Sequence, residues 1–133
     1  MRQIKVGLDI HGVLDTNPFF KEMASLFVAA GHELHIITGA RFNQRVRDKF
    51  ERMGIEKGVH YTHFFSISEH LLEKNTDVRW QDPENPWFDE NAWNTAKSDY
   101  CREQGIDIHF DDTEVYGKHF TTPMYLRVNG DKT

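Results

Sequence analysis

At 133 residues the chain has room for one compact domain and not for two. Its formal charge of −5 argues against broad, sequence-blind binding to nucleic acid, although it leaves room for a nucleotide in a local pocket. No apolar run approaches the roughly 20 residues of a membrane span, the N-terminus leads straight into a strand pattern rather than a signal peptide, and Cys101 has no second cysteine to pair with; a reducing, cytoplasmic setting is expected.

Residues 3–9 alternate apolar and small or polar positions (Ile4, Val6, Leu8) and read as a first strand that stops at Asp9. Asn17-Pro18 has the form of a helix start, with Phe19, Met23, Phe27 and Ala30 at helical spacing and Gly31 as the stop. Residues 33–38 form a second strand ending at Thr38 before a glycine, and Phe42, Val46, Phe50 and Met53 mark a second helix closed by Gly54. A third strand and its flanks fall in 58–68, followed by a short helix from Glu69 to Lys74. Residues 75–89, with two prolines and many turn-formers, read as a loop. Asp89 caps a helix over 90–104 that Gly105 ends. Ile106 to Phe110 is a fourth strand running into Asp111-Asp112, a turn or short helix covers 113–119, and Met124 to Val128 suggests a last strand. The final five residues are expected to be loose.

Strands alternating with helices imply a single α/β domain, a Rossmann-like core around a mostly parallel sheet covered on both faces. In such a sheet the strand ends carrying Asp9, Thr38 and Asp111-Asp112 open on one edge, where α/β proteins bind ligands. Carboxylates gathered there repel one another unless a cation sits among them, and hard oxygen ligands with open positions suit Mg²⁺. Lys97, in the helix before the fourth strand, offers a second positive charge. The Thr38 hydroxyl and the backbone N–H groups around Gly39 suit phosphate oxygens. Asp9 then has the geometry of a nucleophile that forms an aspartyl-phosphate.

These residues resemble the four signature motifs of the haloacid dehalogenase (HAD) superfamily of phosphohydrolases, in order: Leu-Asp9-Ile-His11-Gly-Val, Ile-Ile-Thr38-Gly, Lys97, and His-Phe-Asp111-Asp112. The resemblance covers nearly the whole chain and implies Asp9 as nucleophile, with Thr38 and Lys97 gripping the phosphoryl group. It also implies Mg²⁺ held by Asp9, the His11 backbone carbonyl and Asp111, with Asp112 close by. Dehalogenase members work without a metal, so the acidic pair favours the phosphatase branch. The spans between motifs leave no room for a full cap domain, which makes 75–93 a candidate partial lid. The compact core and the acidic pair also resemble the nucleotidase and polynucleotide 3′-phosphatase branches.

One departure matters. Most phosphatases of this superfamily have Asp where this chain has His11. Imidazole can protonate a leaving oxygen and then activate water, with an ordinary pKa near ~6.5. Three readings of His11 stay open: a working acid and base, a change favouring good leaving groups or phosphotransfer, and a sign of lost catalysis.

Arg41, Arg45, Lys49 and Arg52 recur at helical spacing; Arg41 is close enough to the second strand end to reach the site, and the others read first as a solvated face. His60 and His63 read as strand or loop histidines rather than a zinc pair. Trp80, Trp87, Phe88 and Trp93 either line a pocket or pin the loop to the core. The expected function is a Mg²⁺-dependent phosphomonoesterase acting on a phosphorylated small molecule or nucleotide, or on a nucleic-acid 3′-phosphate end, with no membrane partner and with oligomerisation left open. The competing reading is a weakened or inactive relative that binds a phosphorylated ligand without turnover.

Overall fold

A computed structural model describes residues 2–74, 78–82 and 85–128. Five strands, β1 (Lys5–Leu8), β2 (Glu33–Thr38), β3 (His63–Ser66), β6 (Ile108–Asp111) and β7 (Met124–Leu126), form one sheet in the order β3-β2-β1-β6-β7. Every neighbouring pair in it is parallel. The chain steps from β1 to β2 on one side and returns to β6 on the other. The crevice beyond the C-terminal end of β1 therefore lies at the point where strand order reverses.

Helices α1 (Pro18–Ala29) and α2 (Gln44–Met53) pack over one face, and α3 (Ile67–Glu73), α4 (Glu90–Gln104) and α5 (Glu114–Gly117) over the other. The alternation along β2 sets this up: Leu34 and Ile36 join the cluster with Phe20, Val46 and Phe50, whereas Ile37 joins Cys101 and Ile106. Gly7 belongs to the same logic. A Cβ there would come within 2.7 Å of both His109 Nδ1 and the Ile37 side chain, so a bare backbone lets those residues fill the space.

Helix ends follow the caps expected. Asn17 accepts from the Phe19 N–H, Asp89 accepts from the Ala92 N–H, and α2 and α4 both stop at a left-handed glycine, Gly54 and Gly105. Helix α3 starts two residues earlier than expected, because the Ser66 hydroxyl caps it by accepting from the Glu69 N–H.

Within 75–89, expected to be a loop, the described residues 78–82 and 85–88 are strands instead, and 75–77, 83 and 84 lie outside the described residues. Strands β4 (Val78–Asp82) and β5 (Asn85–Phe88) form an antiparallel ribbon of their own, and α4 begins at Glu90. Pro86 sits in the ladder opposite Trp80, which a two-stranded ribbon tolerates because each strand is an edge. The expectation of loose final residues, 129–133, falls outside the described residues. No helix among the described residues is long and apolar enough to cross a membrane.

Candidate active site

Asp9 leaves β1 with its N–H still bonded to the Phe110 carbonyl (3.0 Å), so the strand geometry aims it at the sheet edge. The chain then makes a wide turn over Ile10–Leu14, closed by Leu14 N–H to Asp9 O (3.2 Å) and Asp15 N–H to Ile10 O (3.1 Å). Gly12 holds φ +79° at the tip, and a Cβ there would run into the Asp112 carboxylate. The turn after β1 and the loop after β6 are thus in direct contact.

Behind Asp9 lies a buried charge cluster. Lys97 is 1% exposed; its ammonium donates to Asp111 Oδ2 (2.6 Å), stands 3.4 Å from Asp9 Oδ2 and lies over the Tyr116 ring. His109, on β6 two residues before Asp111 and so on the same face, places Nε2 2.9 Å from Asp111 Oδ2. The other oxygen of Asp111 accepts from the Asp112 and Thr113 N–H groups (2.9 and 3.1 Å). Asp9 Oδ1 accepts from the Ile10 N–H (2.9 Å).

This arrangement splits the two carboxylates. Burial, reinforced by Asp111 and opposed by Lys97, lifts Asp9 to about 6. Asp111 is held down to about 2: burial works against its charge, but the hydrogen bond from His109 and the charge of Lys97 outweigh it. Burial opposes the charge of Lys97 too, yet Asp9 and Asp111 keep its pKa above the ordinary value. Burial pushes His109 below its ordinary value, so the ring is neutral and donates Nε2–H to Asp111.

One oxygen each from Asp9, Asp111 and Asp112 lies within 4.8 Å of the others. All-carboxylate oxygen is the donor chemistry that suits Mg²⁺. Asp111 already accepts four donors, two on each oxygen, so an ion bound there would compete with one of them.

In front of Asp9 a cavity of about 1020 Å³ opens. Asp9, His11, Thr38, Gly39 and Arg41 all contribute to its wall. Lys97 and Asp111 sit behind Asp9 rather than in the wall. Thr38 is buried at the end of β2, its hydroxyl 3.4 Å from the Ala40 N–H. Gly39 is required by packing: a Cβ would come within 2.7 Å of the Trp93 ring, and its carbonyl accepts from the Ser68 hydroxyl (2.7 Å). Trp93 in turn donates Nε1–H to the Tyr116 hydroxyl (2.9 Å), tying the cavity wall to the residue that covers Lys97.

His11 is 69% exposed at its side chain; Nδ1 is 3.1 Å from Lys49 Nζ and 3.3 Å from Asp15 Oδ2, and Lys49 and Asp15 are themselves paired at 2.6 Å. Sequence reasoning did not anticipate this trio, nor His109 behind Asp111, although the two-residue spacing of His109 and Asp111 on a strand carries that signal. Arg45, Lys49 and Arg52, read from spacing as a solvated face, line the same cavity as Asp9. Trp87, Phe88 and Trp93 also line it, whereas Trp80 stands outside.

His60 and His63 do not act together: His60 Nδ1 accepts from the Glu56 N–H. His63 instead falls near Glu33 and His35. That group is already satisfied, with His35 between Glu33 (2.8 Å) and Tyr100 (2.7 Å). The His35 and His63 rings stack 4.2 Å apart at 4°, so their in-plane lone pairs do not converge on one ion.

Among known proteins, no family model matches the chain, and no curated protein matches it either.

Proposed function

We propose that this chain is a Mg²⁺-dependent phosphomonoesterase of the haloacid dehalogenase type, working through a phosphoryl group carried on Asp9. The observation that carries the reading is the buried Lys97 ammonium between Asp9 and Asp111, directly behind a carboxylate at the switch point of a parallel sheet. A structural ion pair needs no third carboxylate and no open cavity in front of it; a phosphoryl-transfer site needs both.

Asp9, Asp111, Asp112 and the His11 carbonyl are the groups that would hold Mg²⁺, whose charge would neutralise oxygens of the phosphoryl group. A carboxylate oxygen of Asp9 attacks phosphorus while the ester P–O bond breaks. His11, as the imidazolium, gives its proton to the departing oxygen. Water then attacks the phosphoryl group, His11 takes the water proton, and the bond to Asp9 breaks to release phosphate. Thr38 and the Gly39 backbone bind the phosphoryl oxygens, Arg41 binds the substrate at the cavity wall, and Lys97 keeps Asp9 ionised near neutral pH. The substrate is a phosphorylated small molecule, with a nucleotide or a nucleic-acid 3′-phosphate end favoured by the aromatic wall of Trp87, Phe88 and Trp93.

The second reading is a protein that binds a phosphorylated ligand without turning it over. His11 supports it, because its ring is exposed and engaged by Lys49 and Asp15. Phosphate release from a panel of phosphate esters with Mg²⁺, compared with Asp9→Asn, separates the two. Release that disappears in Asp9→Asn supports the enzyme; Mg²⁺-dependent binding without release from any ester supports the binding protein.

A further inference from the structure

The cavity is larger and more cationic than one phosphoryl group requires. Its volume of about 1020 Å³ lies at the upper end for sites that take drug-sized ligands. Arg41, Arg45, Lys49 and Arg52 face it in a chain whose net charge is −5, against Asp9 and Glu90 as the acidic members of the wall. Arg45, Lys49 and Arg52 are spaced four and three residues apart, which places them on one face of α2. At 1.5 Å per residue that row is about 10 Å long, and a stacked strand carries a phosphate every ~3.4 Å. The row therefore spans about three phosphate-to-phosphate steps and offers a cation to each of three phosphates along it. Lys49 is engaged by Asp15, whereas no carboxylate among the described residues pairs with Arg45 or Arg52. The Nε of Arg41 is also buried without a hydrogen-bond partner.

Another part of the wall is aromatic. Pro86, Trp87 and Phe88 come from the β4–β5 ribbon, and Phe88 stacks on Trp93 at 6.0 Å and 19°. Trp87 is 58% exposed, an open indole face in the same cavity wall as the row of cations. A cationic track with an aromatic platform is the arrangement that holds a single strand without reading its sequence. The acidic remainder of the surface disfavours a long duplex.

Resting on the phosphatase reading above, we infer that the substrate is the phosphorylated end of a single-stranded nucleic acid. The terminal phosphate sits at Asp9, the next phosphates follow Arg45, Lys49 and Arg52, and the bases lie against Trp87 and Trp93.

The test is binding to Asp9→Asn protein in Mg²⁺, so that no turnover intervenes. The probes are oligonucleotides of one to six nucleotides, phosphorylated at the 3′ end, at the 5′ end, or at neither. Affinity is expected to rise up to about four nucleotides, the terminal phosphate plus one for each cation of the row, and then level, for one phosphorylated series, with a log–log salt slope near 2 in magnitude from the three row phosphates (about 0.7 per neutralised phosphate). Arg45→Gln with Arg52→Gln should lower that slope by about 1.4, and Trp87→Ala should weaken the trinucleotide roughly 5- to 100-fold. A mononucleotide that binds as tightly as the trinucleotide overturns the inference, and so does equal binding of phosphorylated and unphosphorylated ends. Length-dependent binding with no phosphate release by the wild type keeps this site and rejects the phosphatase; phosphate release without length dependence does the reverse.

Discussion

Lys97→Met keeps most of the side-chain volume and removes the charge, which isolates what the ammonium does. Lys97 and Asp111 are fully buried and Asp9 nearly so, and the ammonium is the only cation within hydrogen-bonding reach of both carboxylates among the described residues. Removing one partner of a buried ion pair costs about 3–5 kcal/mol, because the remaining charge is left uncompensated. For a domain of this length, 1 kcal/mol moves Tm by roughly 3–5 °C, so the metal-free variant should melt about 10–25 °C lower. The loss should shrink at low pH. Asp9 already titrates at about 6, and without Lys97 it takes up a proton still more readily, which discharges one of the two stranded carboxylates. Thermal unfolding followed by far-UV circular dichroism at pH 8 and pH 5, in chelator, measures both effects. A Tm drop under about 3 °C at pH 8, or a larger drop at pH 5 than at pH 8, would refute the claim that Lys97 balances Asp9 and Asp111.

His11→Asp should retain or raise phosphate release; a collapse of turnover in a folded protein that still binds Mg²⁺ would remove His11 from proton transfer. Gly39→Ala should push Trp93 away from the strand end, lowering both Tm and phosphate release, since the new Cβ would meet the indole at 2.7 Å. If the variant keeps wild-type Tm and rate, the Gly39–Trp93 contact has no role in shaping the cavity. Burial depresses the pKa of His35, His60, His70 and His109. The unfolded chain therefore binds more protons than the folded one, and the stability these groups provide is present above ~6.5 and lost as pH falls below it. Asp9, raised to about 6, works in the opposite direction as pH falls through that value, so the histidine contribution is read in Asp9→Asn, where that group is absent. Urea midpoints of metal-free Asp9→Asn should fall from pH 7 to pH 5; a midpoint that rises over that range contradicts the assignment of buried neutral histidines.

Much of the scaffold was legible because its signals are local. The run Glu33–Thr38 alternates cleanly, and the helix over 90–104 carries Asp89 at one end and Gly105 at the other, so both elements match their expected bounds. The strand ends bearing Asp9, Thr38 and Asp111 follow from topology, since all the strands they end are parallel. The β4–β5 ribbon was hidden because its prolines and acidic residues are turn-formers, and only antiparallel pairing at an edge makes Pro86 acceptable there. The charge row on α2 was visible as spacing, but spacing alone does not say whether a cationic face meets solvent or a cavity; the position of the turn after β1 and of the ribbon decides that. The trio of His11, Asp15 and Lys49 joins residues 34 and 38 positions apart, which no local pattern reports.

The most direct test of the account is whether a phosphoryl group passes through Asp9. A substrate identified from the ester panel, labelled in its phosphoryl group, is mixed with excess protein and Mg²⁺, quenched in acid at successive times, and the label on the denatured protein is counted and mapped. Label should rise and decay during one turnover, map to the peptide holding Asp9, and be absent from Asp9→Asn, which should also release no phosphate. Phosphate release at the wild-type rate by Asp9→Asn, with no label on the protein at any time, would contradict passage through Asp9.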